Sequence, residues 1–215
     1  MNPHGLGVMM AQSDSPYPVQ FSVDYPEEPR DRLSVFLRFI LVIPILIVIG
    51  AVSGQSGGIP SFGGAAGGTL LFAPLLMILF RQKYPRWWFD WNLALSRFTN
   101  RVAAYLFMMR DEYPSTDEEQ AVHLEFSYPD VERDLTRWLP LVKWILAIPH
   151  YVILAVLWVV LVFAVMISWL SILFTGRYPR GLFDFAVGVM RWSNRVSAYA
   201  FLLVTDVYPP FRLSA

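Results

Sequence analysis

Cysteine is absent from the 215 residues, and charge is scarce. Without a thiol there is no disulfide, no thiolate nucleophile and no cysteine metal site, and the redox compartment stays open. Only 16% of residues are charged, where an ordinary soluble domain has about 25%, while 55% are hydrophobic. The shortage is local: no Asp, Glu, Lys or Arg occurs between Arg38 and Arg81, or between Lys143 and Arg177. Both blanks read as membrane-embedded. Formal net charge is zero, which argues against a nucleic-acid partner, because binding a phosphate backbone needs clustered cationic excess. Residues 1–33 lack the basic flank and apolar run of a secretory signal, so the first span is expected to be retained. His4, His123 and His150 are scattered, so neither a metal site nor a cofactor is expected.

What is present in place of charge is self-similarity. Residues 19–26 match residues 122–129, with Tyr25 falling on Tyr128. Tyr84, Pro85, Arg86, Phe89, Asp90, Arg97, Asn100, Arg101, Ala104 and Tyr105 each recur 94 positions later. The organisation expected is a polar tail (1–18), repeat 1 (19–115), an acidic linker (116–121) containing Asp117, Glu118 and Glu119, repeat 2 (122–211) and a short tail (212–215). Eleven extra residues in repeat 1 fall in the Gly-rich stretch Gly54 to Gly64. Each repeat opens with an alternating segment, Val19, Phe21, Val23 or Val122, Leu124, Phe126, which at period two predicts a half-buried strand.

A spanning helix needs about 20 apolar residues. Ser34 to Val52 and Thr69 to Phe80, joined by a glycine-marked loop, therefore predict a hairpin. Leu139 to Phe174 would reach about 54 Å as one helix, more than a bilayer needs. Two short crossings with an apex at Leu157 to Val160 are expected there; the competing reading is one tilted helix kinked at Pro149. All 17 Lys and Arg lie outside the two turns, which puts both termini and the segment 81–138 in the cytoplasm. The fold class expected is thus an all-α integral membrane protein of two parallel repeats, each a transmembrane hairpin plus an interfacial amphipathic helix, with short β segments on the cytoplasmic side.

The amphipathic helices are Trp87 to Met109 and Leu182 to Val204. At 100° per residue Asp90, Arg97 and Arg101 share one stripe, as do Asp184, Arg191 and Arg195. Two readings stand: Arg97, Arg101, Arg191 and Arg195 hold lipid head groups, since a guanidinium fork suits phosphate, or Asp90 and Asp184 neutralise them as structural charge partners. Seven of the ten tyrosines precede proline, which forces each out of the helical region, so the pairs read as element boundaries.

Gly54-Gln55-Ser56-Gly57-Gly58 fits the nucleophile-elbow pattern and resembles the Gly-x-Ser-Gly of rhomboid-type membrane proteases, with His150 as a conceivable base. The stretch has no counterpart in repeat 2, so an intramembrane serine hydrolase is a remote alternative.

The run Leu202 to Phe211, with Gly176-Arg177-Tyr178-Pro179 and Arg191 to Tyr199 before it, resembles a bacterial membrane family catalogued as domain of unknown function 4389, in two tandem copies. Copy one departs from it at Gln82-Lys83, where copy two has Gly176-Arg177. The resemblance implies a bacterial cytoplasmic (inner) membrane location and no assigned reaction. The expectation is a non-enzymatic accessory or scaffold subunit whose partners are membrane lipids and other membrane subunits. The alternative is a lipid-binding or lipid-transporting protein.

Overall fold

The computed structural model describes residues 17–27, 35, 37–38, 41–52, 72–116 and 118–215. Its elements are β1 (Val19–Val23), α1 (Ile43–Val52), α2 (Phe72–Arg81), α3 (Arg86–Leu106), β2 (Val122–Phe126), the short α4 (Val131–Asp134), a 3₁₀ turn (Leu139–Leu141), α5 (Lys143–Leu146), α6 (Ile148–Thr175) and α7 (Arg180–Ala200).

The two alternating segments are strands, and they pair with each other. They run antiparallel, with Val19 against Phe126, Phe21 against Leu124 and Val23 against Val122. Those six residues are buried, while Gln20, Ser22, His123 and Glu125 face outward. The apolar face of this sheet covers the amphipathic helices, β2 lying on α3 and β1 on α7.

Helices α3 and α7 begin one residue after Pro85 and Pro179, whose backbones are extended (φ −65°, ψ 129° and φ −63°, ψ 124°). A proline fixes φ and pushes the residue before it out of the helical region, so each Tyr-Pro pair sets a helix start. Just beyond their ends, Met108 and Leu203 turn left-handed at φ 61° and 58°. The tyrosine hydroxyls also tie segments together. Tyr128 donates to the Tyr84 carbonyl and Tyr25 to the Tyr178 carbonyl, each at 2.6 Å, and Tyr84 donates to the Leu202 carbonyl at 2.7 Å. Gln82, at φ 46°, holds the left-handed position that Gly176 holds at φ 73°. At Gly176 the turn closes α6, its N–H donating to the Ile172 carbonyl.

The expected all-α, multi-pass architecture of two parallel membrane hairpins is not the one found. The fold is mixed: helices packed beneath a two-stranded sheet. Among the described residues one helix, α6, is long and apolar enough to cross a membrane. It runs without interruption through Leu157 to Val160, where an apex was expected. The residues permit this, and α7 offers the unbroken helix one long surface to pack on. Nothing there breaks a helix, and continuing it satisfies every backbone N–H and C=O internally, which a turn of Leu, Trp and Val could not do. Pro149 produces no mid-span kink because it falls in the first turn, where its missing N–H is not needed. The amphipathic helices are likewise not interfacial rims. Helix α7 is enclosed between β1 on one side and α6 on the other, while α3 is covered by β2 and leaves Trp87 and Trp91 exposed. The Gly-rich stretch and the turn assigned to it lie outside the described residues.

Residues 202–214 form a strap back across α7. Leu213 reaches Gly188 so closely that a Cβ there would stand 2.8 Å from its own Cβ, so only glycine fits at this crossing.

Candidate functional site

The arginine stripes lie beneath the sheet. Asp24 N–H donates to the Ala121 carbonyl and Ser127 N–H to the Pro18 carbonyl. That alternation turns the Phe21 and Leu124 carbonyls away from the ladder, toward its two open edges. Arg191 Nε donates to Phe21 O at 2.9 Å and Arg97 Nε to Leu124 O at 2.8 Å. One cross-strand pair is therefore clamped from both edges by arginines 94 residues apart, which removes acceptors that an open edge would offer to another chain.

The remaining two arginines also donate to backbone. Arg101 reaches the Ser115 carbonyl at 2.8 Å. Arg195, 1% exposed, donates to the Ser214 carbonyl at 3.1 Å, and Arg191 gives a second bond to Leu213 O at 2.9 Å. Burial lowers the pKa of both Arg191 and Arg195, and Arg195 is lowered further by the charges of Arg191 and Arg212. Asp90 pairs with Arg86 at 3.4 Å on the surface, and Asp184 is exposed.

Two buried ion pairs escaped the sequence reading. Arg38, fully buried, pairs with Asp111 and donates to the Tyr105 and Arg110 carbonyls at 3.0 and 3.1 Å. Lys143, also fully buried, lies 2.6 Å from Asp206 and donates to Thr205 O at 2.8 Å. Burial lowers the Lys143 pKa, while Asp206 opposes the shift. A signal existed: Arg38 and Lys143 are the last charges before the two charge-free blocks. A charge there must either reach water or carry its counter-ion inward.

His150 is fully buried; its Nδ1 accepts from Trp192 Nε1 at 3.0 Å and its ring stacks on Phe211 at 4.0 Å. Ser56 and the rest of its Gly-rich pattern lie outside the described residues, as do His4 and Asp117. His123 faces Asp24 across the outer sheet face at 3.2 Å. No cluster of three His, Asp or Glu able to hold a metal occurs among the described residues.

The most extended feature is the outer face of α6. His150, Leu154, Leu161, Ala164, Ser168 and Ile172 make one buried stripe. Around it Val152, Val156, Phe163, Met166, Ile167 and Phe174 are 56–79% exposed. Exposed Trp138 and Trp144 precede the helix, and exposed Arg177 and Arg180 follow it.

Residues 138–212 match the model of a family described as Domain of unknown function (DUF4389). That stretch runs from just before α5 to the strap and is a single copy; two tandem copies were expected. No curated protein and no solved structure matches the chain.

Proposed function

We propose that this protein is a membrane-associated, non-catalytic accessory or scaffold subunit, located at the bacterial cytoplasmic membrane and partnered by lipid and by other membrane proteins. The observation that carries the reading is α6. Its most apolar stretch is only 22% buried within the protein, whereas a helix apolar on all sides belongs either in a large core or in lipid. Side chains such as Phe163 and Phe174 gain about 25 cal/mol per Å² only if something apolar covers them. A lipid-binding role is the second reading. It is favoured by the convergence of Arg191 and Arg195 on the carbonyls of residues 212–214, where Arg212 adds a third cation and an anion would relieve the mutual charge.

The test is fractionation followed by native purification in mild detergent. The protein is expected in the membrane fraction, resistant to alkaline wash, and in a fixed ratio with a second protein. Replacing Val156, Phe163 and Ile167 with Glu should release a folded chain into the soluble fraction. A particle holding only this chain and stoichiometric anionic lipid would overturn the subunit reading in favour of the lipid-binding one.

A further inference from the structure

We propose that α6 lies in the plane of one membrane leaflet rather than across the bilayer, with α7 and the two-stranded sheet layered above it from lipid to water. The proposal rests on the membrane reading above and specifies how the surface is used.

Successive layers of the fold carry the argument. The buried stripe of α6 packs along α7 over most of its length. Near the start of α6, His150 meets Trp192; further on, Trp158 Nε1 donates to Ser193 Oγ at 3.2 Å. Just past its end, the Tyr178 ring packs on Phe183 at 5.6 Å. The opposite side of α7 holds β1, through Arg191 on Phe21 and Tyr25 on Phe183 at 5.0 Å. Beyond β1 the outer sheet face is polar: Gln20, Ser22, Glu125 and the Asp24–His123 pair.

Arg191, Trp192 and Ser193 are consecutive, and Tyr25 reaches both Phe183 and the Tyr178 carbonyl, so the chain from Phe21 to Tyr25 runs beside α6 from the level of Trp158 to that of its C-terminal end and overlaps any span that α6 could make. Were α6 to stand along the membrane normal, the sheet would stand beside it at hydrocarbon depth. Glu125, Asp24 and the open strand edges would then face lipid. Neither charged side chains nor unpaired strand edges are tolerated there. Laid flat, the same molecule places its apolar face about 5–10 Å into one leaflet and its polar sheet in water. A helix of 28 residues then lies about 42 Å along the surface. Trp138 and Trp144 before it and Arg177 and Arg180 after it suit the head-group level at both ends, where aromatic rings and cations are favoured. The occupant of the apolar face is therefore a lipid leaflet carrying anionic head groups.

The chain has no native cysteine, so Arg137→Cys and Arg177→Cys, both at exposed positions flanking α6, can each be introduced alone into the full-length protein. Each is probed with an impermeant maleimide in intact and then permeabilised cells. In parallel the purified protein is floated with vesicles of phosphatidylcholine and phosphatidylglycerol. The proposal expects flotation and the same labelling pattern at both positions. Flotation with labelling from opposite sides would overturn the in-plane orientation and leave the membrane reading standing. Failure to float, with the protein instead forming a soluble oligomer that buries the α6 face, would overturn both.

Discussion

Asn100 and Asn194 exchange hydrogen bonds in both directions, at 2.9 and 2.8 Å, where α3 and α7 meet in the buried interior. Each amide also donates to the carbonyl four residues earlier in its own helix. The pair fixes how the two helices register. Asn100→Leu or Asn194→Leu alone leaves the other amide buried with an unmet bond, at a cost of about 1–3 kcal/mol. The double variant should recover part of that loss in thermal unfolding followed by circular dichroism. Strictly additive losses would mean that the two amides are not energetically coupled.

The Lys143–Asp206 pair predicts a pH dependence. The ordinary lysine value is 10.5, and burial holds Lys143 below it in the folded chain. Between those two values the unfolded state binds more protons, so this group makes stability rise with pH across that window. Asp206→Asn removes the anion that sustains the charge. Removing one partner of a fully buried pair costs about 3–5 kcal/mol, and the loss should be smaller here because Asp206 keeps 15% exposure. The folded-state value should fall further in this variant, so its deficit in melting temperature should shrink between about pH 7 and about pH 10. A deficit constant over that range would show that Lys143 is not the titrating group.

Arg191 separates the two readings of the stripes. Its fork bonds the carbonyls of Phe21 and Leu213 at once, and a lysine cannot reproduce that geometry. As a clamp on β1 and the strap, Arg191→Lys should lose about 1.5–3 kcal/mol of stability while retaining the bound anionic lipid of the wild type. As a head-group ligand, whose phosphate the guanidinium fork holds bidentately, it should keep its stability and lose lipid in proportion to the weaker phosphate contact of lysine. Melting temperature and lipid content measured on the same detergent-purified sample distinguish the outcomes.

Several local features were legible in the residues. Alternation at period two located both strands, and the Tyr-Pro pairs located the starts of α3 and α7 to within a residue or two. Other features were not legible. The pairing of β1 with β2 brings together segments about 100 residues apart, and no local pattern encodes a partner at that distance. The arginine stripes were visible as stripes. Their acceptors are backbone carbonyls, which every residue has, so the sequence could not say that Arg97 and Arg191 grip the sheet.

By itself the sequence determined composition-driven properties: two charge-free apolar blocks, amphipathic helices and the absence of thiol chemistry. These follow from side-chain identity and short-range periodicity, which act within a few residues. Only the tertiary structure decided that Ile148–Thr175 is one continuous helix, that α7 is interior, and that the arginines of both amphipathic helices lie beneath a sheet. An uninterrupted apolar run is compatible with either a hairpin or a single helix, because both bury the same side chains. The choice was made by α7, whose 21 residues offer one long surface against which an unbroken α6 packs from His150 to Ile172.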